Sequence, residues 1–337
     1  MTREPPIILA IETSCDETAV AVLAGGRDLL ASEIASQAAM HAQYGGVVPE
    51  VASRSHLTQL QPLIARALAS AQLDIEKIDA FAATSGPGLA TSLMVGASAA
   101  KGLSISLRKP FLAVNHLEGH LLSPFFGKEI RPCVGLVVSG GHTLLVEIEA
   151  PGRYRLLGQT HDDAAGEAFD KVGKLLGLPY PGGPHVDRLA REGDAKRFDF
   201  PRSMIHSGDF HFSFSGLKTA VRYMLPKITL DDRTLRDLCA SFQEAVVEVL
   251  VAKTLAAARA TGERLVTVSG GVSCNSRLRE KFREVCARES VELLIADAKL
   301  STDNAAMIAF VAAEKFRRGE SSPLSVDIDP NLPLVPR

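Results

Sequence analysis

The feature that most constrains this chain is a short signature that occurs twice, each time at the end of an apolar strand. Val134-Gly135-Leu136-Val137-Val138 leads into Ser139-Gly140-Gly141, and 130 residues further on Leu265-Val266-Thr267-Val268 leads into Ser269-Gly270-Gly271. Repetition at that distance points to two equivalent points in an α/β architecture. A strand ending in Ser-Gly-Gly lets the backbone come close to a ligand, because no Cβ intervenes and each glycine can adopt φ > 0. Successive amides in such a turn form a concavity suited to an anion. One copy is commonly a plain turn. Two copies behind buried strands direct attention to a phosphate- or nucleotide-handling site.

At 337 residues the chain is long enough for two domains with substantial cores. Its 46% hydrophobic and 23% charged residues suit a globular protein, and a net charge of −2 excludes a general basic field for nucleic acid. Any such role needs a local patch or a partner. The five cysteines are odd in number and lack C-x-x-C spacing, which argues for a reducing compartment and against disulfides or a zinc ribbon. A first strand that begins by Ile7 leaves no room for a signal or transit peptide. The longest apolar stretch, residues 89–100, is too short to cross a bilayer. A cytoplasmic enzyme or binding protein is the expectation.

Residues 7–11 and 19–23 read as strands around the polar turn 12–18, hence a hairpin, and residues 49–69 carry apolar side chains at helical spacing. A short strand at 81–84 enters Ser85-Gly86-Pro87-Gly88 and then a helix reaching about Leu107. On that helix Ser92, Gly96 and Ala100 make a flat face, suited to packing on the protein's own sheet or to docking a second subunit. Residues 134–138 and 143–148 form a second hairpin around the first Ser-Gly-Gly. A long helix at 235–260 precedes strand 265–268, and helix 276–289, strand 292–295 and helix 304–317 lead to a Pro-rich tail. Hairpins at the start of each half, with helices after them, predict two related α/β lobes around a cleft, where strand-end loops bind ligands.

His116-Leu117-Glu118-Gly119-His120 places two imidazoles at i and i+4, on one face of a helix, as a metal requires. The same spacing also suits one solvated and one hydrogen-bonded histidine. The comparison with H-E-x-x-H zinc proteases fails, because Glu118 lies two positions from each histidine. At about 100° per residue it points away from the histidine face. A third ligand must come from elsewhere. Asp303, in Ser301-Thr302-Asp303-Asn304, is equally placed to cap the helix that follows. Two histidines and a carboxylate leave open positions, an arrangement typical of non-haem Fe(II). Asp170 and Asp187 flank the turn Tyr180-Pro181-Gly182-Gly183-Pro184; carboxylates near a nucleotide often accept ribose hydroxyls, and Asp170-Lys171 equally suits a surface pair. No Ser/His/Asp order stands out as a nucleophilic triad.

Together these segments closely resemble the universal tRNA threonylcarbamoyladenosine transferase family in its bacterial form, formerly called glycoproteases or O-sialoglycoprotein endopeptidases. The matching stretches begin with Ile11-Glu12-Thr13-Ser14-Cys15-Asp16-Glu17-Thr18, Gly45-Gly46-Val47-Val48-Pro49-Glu50, Ser85-Gly86-Pro87-Gly88 and Asn115-His116-Leu117-Glu118-Gly119-His120. They continue with Val138-Ser139-Gly140-Gly141-His142, Phe169-Asp170-Lys171, the 180–184 turn, Phe212 to Lys218, Gly270-Gly271-Val272 with Asn275, and Ser301-Thr302-Asp303-Asn304. The resemblance implies an α/β protein of two RNase H-like lobes, the actin/Hsp70/sugar-kinase (ASKHA) superfold, around a central cleft. Residues 1–130 would form the N-terminal lobe, with about 304–337 packing back on it, and residues 131–303 the lobe carrying the nucleotide site.

It further implies that His116, His120 and Asp303 hold one divalent metal per subunit, Fe(2+) or alternatively Zn(2+). Val137, Val138, Ser139, Gly140, Gly141, Asp170, Gly183, Asp187 and Asn275 would bind the adenylate. The implied enzyme is a metal-dependent acyltransferase with no protein nucleophile. It moves threonylcarbamoyl from threonylcarbamoyl-AMP to N6 of adenosine 37 in tRNAs reading codons that start with A. Its implied partners are tRNA, a catalytically silent paralogue and a small P-loop ATPase, with no membrane. The competing class for this fold is phosphoryl transfer, with a metalloprotease behind it. Sugar kinases, however, open their first hairpin with Asp-x-Gly-Thr, and here Ser14 follows Glu12-Thr13 where a glycine would admit phosphates. His142, His185 and the Phe212–Lys218 segment receive no role.

Overall fold

Ile7–Glu12 (β1) is apolar along its length because it lies at the centre of a sheet, buried on both faces. It pairs antiparallel with Glu17–Ala24 (β2), which pairs antiparallel with Asp28–Ser36 (β3). On its other side β1 pairs parallel with Ala80–Gly86 (β4), which pairs parallel with Phe111–Asn115 (β5). The order is β3-β2-β1-β4-β5. A second sheet repeats the plan. Cys133–Val138 (β6), Thr143–Ala150 (β7) and Arg153–Gln159 (β8) form an antiparallel meander, and Leu265–Ser269 (β9) and Glu292–Ile295 (β10) extend it in parallel on the β6 side.

The computed structural model describes residues 5–335. The chain divides into one unit of Met1–Ile130 with Asp303–Arg337 and another of Arg131–Thr302. Asp303 thus falls in the unit that holds the two histidines. In the first unit, helices Pro49–Ala71, Ala90–Leu107 and Ala305–Arg317 cover the sheet. In the second, the 30-residue helix Asp232–Thr261 is buried along most of its length, with Phe242 edge-on to Phe169 at 5.2 Å. Among the described residues no helix is long and apolar enough to cross a membrane.

Two expectations change, while the two Ser-Gly-Gly turns do hold equivalent points of one sheet: both belong to the second unit, at the ends of neighbouring parallel strands β6 and β9. Their counterparts in the first unit are the loop after β1 and the Ser85–Gly88 turn after β4. Of the four glycines only Gly270 adopts a positive φ, +88°. Finally, the flat face of helix Ala90–Leu107 is core. A Cβ on Gly96 would lie 2.4 Å from Thr13 Oγ1 and 3.2 Å from Ile11 Cγ2, and Ser92 and Ala100 are buried too. A second subunit therefore cannot dock on that face. Sequence periodicity also missed β3 and β8, outer strands whose charged, half-exposed residues mask the alternation.

Candidate functional site

The last residue of β5, Asn115, accepts hydrogen bonds from the Leu117 and Glu118 amides through Oδ1 and so starts the short helix His116–Leu122. One turn of that helix sets His116 and His120 side by side, ring centroids 4.7 Å apart. Both are buried. The cap of helix Ala305–Arg317 proves to be Asn304, whose Oδ1 receives the Met307 amide at 2.9 Å. Asp303 is thereby free to turn to the histidines. Its Oδ1 lies 3.0 Å from His120 Nε2 and 3.5 Å from His116 Nε2, and one ligand atom from each residue falls within 4.8 Å of the others.

This set fits a divalent ion. Two donors at right angles on an ion about 2.1 Å away lie about 3.0 Å apart, and a tetrahedral angle opens this to about 3.4 Å. Two imidazoles and a carboxylate suit iron or zinc and leave coordination positions open. Glu118 is buried in the same helix and is not one of the converging three.

Behind His116 stands a layer that the motifs did not disclose. Its Nδ1 lies 3.1 Å from Glu12 Oε2 and 3.1 Å from Ser14 Oγ. Glu12 is wholly buried, and it also accepts from Thr84 Oγ1 at 2.6 Å and from the Ser14 amide. An Nδ1–H donated to a carboxylate fixes the ring tautomer and aims Nε2 at the ion. Burial works against a charged His116, but Asp303 and Glu12 outweigh it and hold its pKa well above the ordinary imidazole range. The same pairing keeps Glu12 below its usual value against the effect of burial. The only sequence signal for Glu12 is a charged residue closing an otherwise apolar strand. Beside it, burial together with Asp16 and Asp303 pushes the Cys15 thiol far up, so it is no thiolate nucleophile.

The second unit gathers most of the remaining expected residues in touching groups. Ser139 donates its amide to the His142 carbonyl, closing the first glycine turn. Its own carbonyl accepts from the Gly166 amide, and a Cβ on Gly166 would meet Ser139 O at 2.5 Å. Gly270 presses on β6 just as closely, its Cβ position 2.4 Å from Val138 O. Positions 140, 141 and 271 are open, with no atom within 4 Å of an added Cβ. Val137 and Val138 are core side chains, so only their backbone is offered to a ligand.

Asp170 receives the Gly182 and Gly183 amides at 2.8 and 3.4 Å, and burial nonetheless leaves its carboxyl above the usual range. Asp187 holds Ser276 by amide and hydroxyl and also binds Arg191. Asn275 caps helix Ser276–Glu289 and donates to Gln243. Both side chains thus tie together the segments around the start of helix Ser276–Glu289. The Phe212–Lys218 segment, left without a role, is an anchor as well. Phe212 and Phe214 are core, and Asp162 accepts from Ser213, Phe214 and Ser215 together.

Comparison with known proteins gives the fold and the family. Among solved structures the fold is similar to HypF from T. kodakarensis (TM-score 0.64, 13% identity, 94% of this chain and 49% of that one). It is also similar to component A of (R)-2-hydroxyglutaryl-CoA dehydratase from Acidaminococcus fermentans (TM-score 0.54, 16% identity, 92% and 98%). These likenesses show the fold, two RNase H-like units of the ASKHA class. Curated relatives named tRNA N6-adenosine threonylcarbamoyltransferase include one from Geobacter metallireducens, 52% identical over 97% of each chain. Another, from Bordetella avium, is 53% identical over 93% of this chain and 92% of its own. The family model of that description matches residues 28–310. The chain belongs to the tRNA N6-adenosine threonylcarbamoyltransferase family.

Proposed function

We propose that the chain carries out its family's reaction with threonylcarbamoyl-AMP as donor and N6 of adenosine 37 as acceptor, in tRNAs reading codons that start with A. His116, His120 and Asp303 hold one divalent ion, Fe(2+) in preference to Zn(2+). The convergence of these three ligand groups, with Glu12 behind His116, is the observation that carries this reading. When bound, the ion supplies Lewis-acid polarisation of the acyl carbonyl.

The protein's own groups do the rest. Glu12 keeps the Nδ1 proton on His116, leaving Nε2 as the ligand atom. The open Ser139-Gly140-Gly141 turn holds the phosphate through the backbone amides of Gly140 and Gly141. Asp170, with Gly183 beside it, Asp187 and Asn275 frame the nucleoside. The mixed anhydride of the donor is reactive enough for a weak amine, so no residue forms a covalent intermediate, in keeping with a Cys15 held as thiol.

The reaction takes place in the cytoplasm, with a silent paralogue and a small P-loop ATPase as partners. The paralogue docks on the outer face of helix Ala90–Leu107 and its neighbour Pro49–Ala71, where Met94 is 54% and Leu57 67% exposed. That partner completes the tRNA surface, since a net charge of −2 gives the chain alone little attraction for nucleic acid. The test is transfer to unmodified tRNA from supplied threonylcarbamoyl-AMP, read as modified nucleoside, with and without partners. Full activity of both His116→Ala and His120→Ala, or a trapped threonylcarbamoyl-enzyme, would overturn the mechanism.

A further inference from the structure

The Ser85-Gly86-Pro87-Gly88 turn has no role in either site above, yet neither Gly86 nor Gly88 leaves room for a side chain. A Cβ on Gly86 would sit 1.9 Å from the carbonyl oxygen of Asp329, and one on Gly88 would sit 2.6 Å from that of Ser14. The turn is therefore wedged between the C-terminal tail and the loop that follows β1. Hydrogen bonds fasten both sides. The Asp329 amide donates to Ser85 O at 2.8 Å, and the Gly88 amide to Pro330 O at 3.1 Å. On the other side the Leu89 amide donates to Ser14 O at 2.8 Å.

The tail is tied down before and after this point. Ser322 bridges to β5, its amide donating to Phe111 O and its hydroxyl accepting from the Ala113 amide. Lys101 Nζ reaches Val326 O. Further on, Pro333 O receives Asn115 Nδ2 at 3.1 Å. Two routes then lead from the tail to one imidazole. Asn115 precedes His116 and caps its helix, and the 85–88 turn holds Ser14, whose hydroxyl meets His116 Nδ1.

We propose that tail residues 322–333 are a positioning element for the metal helix, clasping Asn115 and the Ser85–Gly88 turn so that His116 is held ready for the ion. The inference rests on the metal reading above. Asn115→Asp isolates it, because the carboxylate still caps the helix through an oxygen but turns an acceptor instead of a donor toward Pro333 O. Gly86→Ala displaces Asp329 and changes no residue of the metal helix, although Gly86 pairs with the helix cap Asn115 in the β4–β5 ladder.

The experiment is a Zn(II) titration against a competing chelator, with hydrogen exchange of residues 326–333 and the unfolding midpoint measured on the same full-length proteins. Asn115→Asp should expose the tail amides to exchange and weaken Zn(II) about tenfold or more, the size of an outer-shell effect. A simple charge effect has the opposite sign, since a new carboxylate beside His116 attracts a cation. Gly86→Ala should do the same. If that variant fails to fold, Asn115→Asp decides alone. Tail exposure with unchanged or tighter Zn(II) binding overturns the proposal, as does undiminished protection of the tail in Asn115→Asp. His120→Ala separates the two readings: if it too binds Zn(II) normally, the metal site itself is wrong.

Discussion

Glu12→Gln tests the least expected part of the candidate metal centre with the smallest change of shape. Both carboxylate oxygens of Glu12 face donors: the Ser14 amide on Oε1, Thr84 hydroxyl and His116 Nδ1 on Oε2. A carboxylamide brings two N–H donors of its own into this buried space. Its better orientation turns the NH2 toward the single Ser14 donor and leaves buried N–H groups unpaired, at a cost of about 1–3 kcal/mol. Separately, the charge proposed to make His116 a stronger ligand is gone. Replacing such an outer-shell group typically lowers metal affinity by about 10–100-fold, equivalent to roughly 1.4–2.7 kcal/mol. The expected result is a lower unfolding midpoint together with weaker Zn(II) binding in chelator competition, and Thr84→Val should show a smaller version of both. A Glu12→Gln protein that binds Zn(II) within about twofold of the parent would refute the role given to this carboxylate.

His116→Ala and His120→Ala should each abolish stoichiometric metal and transfer while far-ultraviolet circular dichroism stays that of the parent. Asp170→Ala should weaken binding of a threonylcarbamoyl-AMP analogue more than binding of Zn(II), measured by calorimetry on one preparation. Gly96→Leu drives a side chain into Thr13 and Ile11 and should cost at least about 1–3 kcal/mol of stability, seen in urea unfolding. Met94→Asp, on the exposed face, should instead leave stability unchanged and reduce partner association in analytical ultracentrifugation. Burial raises the Asp162 carboxyl, but the Ser213 and Ser215 hydroxyls and the Phe214 and Ser215 amides outweigh it and hold it below the usual range. A lowered folded value stabilises above the unfolded pKa and is lost as pH falls through the folded one. The stability advantage of the parent over Asp162→Asn should therefore be present at pH 7 and shrink below about pH 4 in thermal unfolding.

Much of this molecule is written in short-range chemistry. The i, i+4 histidines share a face because helix geometry is the same everywhere, and the apolar runs of β1, β6 and β9 announce central strands for the same reason. The choice between ligand and helix cap at Asp303 is also local, but spacing alone could not resolve it. Only the fold shows that Asn304 takes the cap and frees Asp303, because that depends on what lies opposite.

Wherever a property needs a partner distant in sequence, tertiary structure decides it. Asp303 meets His120 across 183 positions, and Glu12 meets His116 across 104. The duplicated Ser-Gly-Gly is visible by inspection, yet its placement on adjacent strands follows from the parallel pairing of β6 with β9. Gly96 offers the same small surface to a partner or to a sheet, and its 2.4 Å approach to Thr13 is a fact of packing. Periodicity and turn chemistry act over a few residues of one chain segment. Strand register and the burial of charge are set by the segments that come to lie against it.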